Sequence, residues 1–255
     1  MHPWNPFVST LLALTLPAAT GLAQEGPRFG GSLGWAGGSF RLDSDLAGFD
    51  DRADAALVQL ELEAVSARGF GGGLRLERFR SDGSAGLFRD RLDPLDPGIQ
   101  ARNGALQAHF TYLVREHRFE MPVRAGLAVG DLVLDDPLAA AQETRYASLG
   151  PFFEVEPELE LGRRGAVRWS VFGQLGVGFA GVDVDVDGDP RDYSAGAASL
   201  HLELGARVRL GPAELGVAFV GRYLSIEESS VEDGQFVYGF DAGFQGVLLT
   251  AGVRF

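Results

Sequence analysis

Leu200-His201-Leu202-Glu203-Leu204-Gly205-Ala206-Arg207-Val208-Arg209-Leu210 sets apolar residues against charged or small ones for eleven residues without a break. A helix would scatter these side chains around its circumference. An extended strand sorts them, with Leu200, Leu202, Leu204, Ala206, Val208 and Leu210 on one face and His201, Glu203, Arg207 and Arg209 on the other. Strands in soluble sheets usually run about five or six residues. A strand of about nine to eleven suits a tilted crossing of a lipid bilayer, with alternate residues facing hydrocarbon and lumen.

The same rhythm extends in both directions along the chain. Val58, Leu60, Leu62 and Ala64 alternate with Gln59, Glu61 and Glu63. Leu106, Ala108, Phe110, Tyr112 and Val114 alternate with Gln107, His109, Thr111 and Arg115. Phe153, Val155, Leu159 and Leu161 alternate with Glu154, Glu156, Glu158 and Glu160. The pattern predicts ten strands near 28–41, 55–67, 69–80, 103–115, 119–132, 145–161, 166–182, 196–210, 213–226 and 241–255. Short turns at 68–69, 116–118, 162–165 and 211–212 separate longer connections at 42–54, 81–102, 133–144, 183–195 and 227–240. Such an alternation fits short turns on one side of a membrane and long loops on the other. An even strand count returns both chain ends to the short-turn side.

Composition agrees. The 255 residues contain 36 Gly and no Cys, so disulfides and thiolate metal sites are excluded. A net charge of −13 argues against nucleic acid, which needs a basic face. The acid is not spread evenly. The long connections, taken as 42–54, 81–102, 131–145, 183–195 and 227–240, hold 22 acids against 6 arginines, which predicts an acidic rim on a near-neutral body. At the N-terminus, residues 7–19 are largely apolar, and Gly21-Leu22-Ala23 offers small residues before a cleavage point, so 1–23 is read as a secretory signal peptide and 24–255 as the barrel domain.

In the last predicted strand Val247, Leu249, Ala251, Val253 and Phe255 share one face, and the sequence stops at Phe255. Here the chain resembles the bacterial outer-membrane β-barrel family, small barrels of the OmpA/OmpX-like or omptin-sized type. In that family the final strand ends on alternating apolar residues and a terminal aromatic. The resemblance implies a Gram-negative cell envelope, residence among outer-membrane lipids, and reading of Val253 and Phe255 by the barrel-assembly machinery. It spreads, through the strand rhythm, over most of the mature chain.

If one face meets lipid, the other fills the lumen, where Glu61, Glu63, Arg75, Arg115, Arg124, Glu154, Glu156, Glu158, Glu160, Arg168, His201, Glu203, Arg207, Arg209, Glu214 and Arg222 form a predicted charge network. Pairing across the short turns sets Glu61 and Glu63 against Arg75, Glu158 and Glu160 against Arg168, and Arg207 and Arg209 against Glu214. The glutamate ladder at 154–160 needs arginines from neighbouring strands, with Arg115, Arg124 and Arg168 the candidates. Phe29, Trp35, Phe110, Tyr112, Phe153, Trp169, Phe179, Phe219, Tyr223, Phe244 and Phe255 are expected as interfacial girdles on the lipid face.

Other chemistry is thin. Asp183, Asp185, Asp187 and Asp189 have the odd spacing of a calcium loop with Gly188 after the third, but Ser194 stands where a bidentate glutamate is needed, so at most weak calcium binding is expected. No other cofactor is suggested. Omptin-sized proteases carry an Asp-x-His arrangement at the rim, which this sequence lacks. The expectation is therefore an all-β, antiparallel up-and-down transmembrane barrel of about ten strands with acidic loops and a non-enzymatic structural or surface-interaction role. The competing readings are a narrow porin-like channel for small solutes and a secreted lipocalin-like binding barrel. Oligomeric state is left open.

Overall fold

The computed structural model describes residues 27–44, 49–81, 100–136, 142–230 and 236–255. The predicted signal peptide, most of the 81–102 loop and parts of three other long loops lie outside these residues. Eleven strand segments follow in order: β1 (Arg28–Ser44), β2 (Phe49–Val65), β3 (Phe70–Ser81), β4 (Gln100–Glu116), β5 (Phe119–Asp136), β6 (Gln142–Val155), β7 (Glu158–Arg164), β8 (Val167–Val186), β9 (Tyr193–Leu210), β10 (Ala213–Ile226) and β11 (Phe240–Arg254). All pairings are antiparallel and join sequence neighbours, except that β6 and β7 both pair with β5 and β8 and not with each other, and β1 pairs with β11 from Gly30–Arg254 to Asp43–Asp241. The sheet therefore closes and has no free edge.

β6 and β7 are one stave, so the barrel has ten. Both segments pair with β5 and with β8. They are separated at Glu156-Pro157, where proline offers no ladder donor. A bulge between Glu160 and Gly162 follows. The hairpin turns at 165–166 rather than across the expected 162–165, so Arg163 and Arg164 extend the ladder and one expected pairing is corrected. Glu158 and Glu160 stand opposite Phe172 and Ser170, and Arg168 stands opposite Arg163.

The four short turns each place one residue in the left-handed region, Gly69 (φ 86°), His117 (φ 49°), Gly165 (φ 62°) and Gly211 (φ 59°). Tight hairpins demand this to match strand twist. The strands run further past the other end than expected. Much of the predicted loops 42–54, 133–144 and 183–195 is ladder, leaving only a short turn and coil at 187–192 between β8 and β9. Extended residues beyond the membrane span still have their backbone groups satisfied by pairing.

The outer face changes character along the barrel. Around the short-turn side and middle it is apolar: Phe29, Leu33, Trp35, Leu62, Leu76, Phe110, Leu127, Phe153, Trp169, Phe179, Leu204, Phe219, Tyr223 and Leu249 are all exposed. Phe110 exposes 82% of its surface. Nearer the long-loop side the outward positions become Arg41, Asp54, Arg80, Arg102, Arg145, Asp183 and Asp185. Opposite charges meet there, Arg41 with Asp43 (3.0 Å), Arg102 with Glu143 (3.0 Å) and Arg145 with Asp131 (2.8 Å), so the described rim is ion-paired rather than purely acidic. The belt is far larger than an apolar patch a soluble protein exposes, and it removes the lipocalin-like reading, which needs a polar exterior.

The interior inverts in step. Where the outside is apolar, the lumen holds glutamates and arginines. Where the outside is charged, the lumen holds Phe40, Leu57, Phe79, Leu132, Tyr146, Val182, Ile226 and Phe244. Phe244, expected on the lipid face, is 3% exposed and packs edge-on against Phe79 at 5.7 Å between centroids. Its even number sets it on the opposite face from Val247 and Leu249, which the girdle assignment overlooked. The other ten predicted girdle aromatics are exposed.

Candidate functional site: the charged lumen and the chamber above it

The ladder positions of nearly every stave converge in the short-turn half of the lumen. At the base Arg28 of β1 donates both terminal nitrogens to Glu120 of β5, at 2.9 and 2.8 Å. Arg115 (3.6 Å) and Arg254 (3.8 Å) also face Glu120, and Arg254 reaches Glu214 at 3.9 Å. Above them Arg209 donates to Glu214 (2.6 Å) and Glu158 (2.7 Å). Arg207 joins Glu156, Glu158 (3.3 Å) and Glu214 (3.6 Å), with its guanidinium 3.7 Å above the Phe172 ring.

Arg124 is the hub. It donates to Glu63 (3.0 Å), Glu154 (2.8 Å) and Glu156 (2.7 Å), and lies 3.3 Å from Glu61. Arg75 adds a two-pronged contact to Glu154 (2.6 and 3.1 Å) and one to Glu61 (3.1 Å). Both arginines are buried. Highest in the network, Arg222 directs Nη2 to Glu77 (2.9 Å), Glu203 (3.2 Å) and Gln59 (3.2 Å), while His201 meets Glu203 at 3.0 Å and Glu154 at 3.5 Å.

Arginine suits this work, since its planar fork keeps its charge and engages two carboxylates at once. Of the sixteen predicted network residues, fourteen have such partners. Among the described residues Glu160 forms no ion pair, and Arg168 is exposed opposite Arg163, one pair beyond the turn at 165–166. Arg115 is at the exposed edge, so the glutamate ladder takes Arg75, Arg124, Arg207 and Arg209 instead of the trio Arg115, Arg124 and Arg168. Arg28, Glu120 and Arg254 escaped the sequence reading. Their strand parity places them inward, but all three sit at strand ends, where a ladder is hard to distinguish from a turn.

The network leaves a cavity of about 80 Å³ near the base, bordered by Arg28, Glu61, Glu120, Arg124, Glu158 and Arg207. A second, apolar chamber of about 220 Å³ lies in the loop-side half. The four aspartates of the calcium-like segment are not gathered. Asp183 and Asp185 project from the outer face of β8, while Asp189 accepts from Tyr193 (2.9 Å) and pairs with Arg191 (3.2 Å). Among the described residues, Glu61, Glu63 and His109 lie within metal-ligating reach of one another, but Arg124 already stands against both glutamates. Val253 and Phe255 lie on the outer face at the β1–β11 seam, where the Phe255 amide donates to Phe29 at 2.8 Å.

No protein-family model matches the sequence, and no curated protein matches it. Solved structures do. The outer membrane protease OmpT from Escherichia coli is similar over 93% of this chain and 99% of its own, with a TM-score of 0.55 at 10% identity. The β domain of the Bordetella autotransporter BrkA matches over 89% and 98% (TM-score 0.40, 17% identity), and Ail of Yersinia pestis over 90% and 99% (TM-score 0.33, 15% identity). At these identities the likeness is one of fold.

Proposed function

We propose that this ten-stave barrel is a bacterial outer-membrane protein, closed to ion flow and acting without catalysis in a structural or surface-interaction role in the cell envelope. One observation carries this reading. Charged side chains from staves all around the barrel meet in a chain of ion pairs that runs from Arg28 to Arg222 across the short-turn half of the lumen. A ten-stave barrel has little more room than the eight-stave kind that side chains just fill. Long Glu and Arg side chains locked to one another occupy it and leave nothing mobile for an ion to displace.

The two histidines of the lumen support the same view. His201 is turned to Glu203 and Glu154, and His109 lies 3.7 Å from Glu63, so both serve the network. Val253 and Phe255 are proposed as the segment read during assembly. A narrow channel is the second reading, and the 80 Å³ cavity near the base is what favours it.

Planar-bilayer recording separates the two. The expected result for refolded barrel, verified by its shift on an unboiled gel, is a silent bilayer. Discrete steps from the intact protein would put the channel first. Steps that appear only when Arg75 and Arg222 are both replaced by serine would show that the network is the closure.

A further inference from the structure

The loop-side chamber has a lining that the closed lumen does not explain. Its wall is apolar, built from Phe40, Phe79, Leu132, Phe152, Val182 and Phe244. Small residues, Ala105, Ala128, Gly130 and Ala180, border it where a filled core would set leucine or phenylalanine, and about 220 Å³ stays open.

Some of the polar atoms at its border have no partner. Asn103, Gln107 and Arg222 line the chamber along with Glu77 and His201. Arg222 spends Nη2 on three acceptors, yet its Nε and Nη1 are buried without a hydrogen-bond partner. The same holds for Oε1 of Gln107 and Oδ1 of Asn103. Unpaired donors and unpaired acceptors thus border one apolar space, and leaving such groups unmade is costly. A mostly apolar cavity with a few convergent polar atoms is the usual composition of a small-molecule site.

We propose that this chamber binds a small neutral amphiphile, an apolar ring or short chain with one hydroxyl. The hydroxyl oxygen accepts from Arg222, and its proton is donated to Gln107 or Asn103. Neutrality follows from the surroundings, since Arg222 already faces Glu77 at 2.9 Å and Glu203 at 3.2 Å, and an anionic head would add a third negative charge. Size follows from volume. An apolar cavity of about 150 Å³ holds benzene, so this one has room for about nine non-hydrogen atoms. The inference does not rest on the closed lumen, which concerns the other half of the barrel.

The test uses the full chain, refolded and gel-verified, in phosphatidylcholine nanodiscs. Binding of p-cresol and of its isostere p-xylene is measured by titration calorimetry, with empty nanodiscs subtracted. The expected result is saturable one-site binding of p-cresol, with p-xylene about tenfold weaker, the factor of one lost hydrogen bond. Gln107→Leu should bring p-cresol down toward p-xylene. Ala128→Phe, which fills the space, should abolish both, and Ala105→Leu serves if the first variant loses its gel shift. No saturable p-cresol binding overturns the proposal and makes the chamber a hydrated vestibule. Equal binding of the two ligands overturns the hydroxyl assignment. A silent or a conducting bilayer leaves either result unchanged, so failure here is distinct from failure of the closed-barrel reading.

Discussion

Methionine in place of Arg124 is expected to destabilise the barrel by about 3–5 kcal/mol, the cost of leaving buried charges without their partner. Arg124 touches four glutamates, and its neighbours replace it only in part. Arg75 still holds Glu154 and Glu61, and Arg207 still holds Glu156. Glu63 keeps only the Thr111 hydroxyl (2.8 Å) and the more distant His109. The loss should therefore fall mainly on Glu63 and on the crowding of carboxylates around it. Urea unfolding in lipid vesicles reads the effect as a lower midpoint at an unchanged slope. Adding Glu63→Gln and Glu156→Gln to the methionine variant should recover half or more of the loss, because it removes the uncompensated charge rather than restoring the bond. A methionine variant as stable as the parent would mean that the carboxylates are hydrated, and the network would then be no plug.

The reverse substitution pattern tells structure from charge. A lysine at 124 keeps the charge but loses the fork, and one ammonium cannot reach Glu63, Glu154 and Glu156 along three fixed directions. An intermediate loss, between that of methionine and none, is the outcome consistent with the geometry.

Period two was enough to find the staves, because closing a barrel in lipid forces every strand to be long and two-faced. Leu200 to Leu210 lies in β9 as its alternation required, and the ten apolar runs became ten staves. What alternation does not encode is height. Glu203 and Phe244 obey the same inward rule, yet one is in the charged half and the other in the apolar half. The distinction rests on which outward neighbours are apolar, and that becomes visible only when register aligns the strands. Ser225 opposite Asp241 and Ala198 opposite Ser225 mark a polar level that no single strand reveals. The bulge at Glu160 is similarly hidden, since Gly162 reads as a turn residue. The inward charges were legible for a plainer reason, as an arginine or glutamate in the membrane span has nowhere else to go.

That difference in height yields the second large effect. Arginine at Leu204, exposed in the middle of the apolar belt, is expected to cost about 2–4 kcal/mol. Arginine at Ala198, six residues further along the same outer face of β9 at the edge of the belt, is expected to cost at most about 1 kcal/mol, as for a position near the membrane interface. The two sites share a strand, a face and a substitution, so propensity and barrel curvature largely cancel. What separates them is the medium. Leu204 pairs with Phe219 and Gly173 inside the belt, whereas Ala198 stands between Phe179, the last aromatic of the belt on β8, and Ser225, at the level where Asp241 already points outward. Unfolding midpoints in vesicles would measure both. Equal costs at the two positions would mean that hydrocarbon reaches Ala198, and the apolar lumen beside it would then be ordinary membrane-level packing. Unequal costs in the expected order would show that the barrel rises out of the membrane, where an outside facing water requires an inside that excludes it.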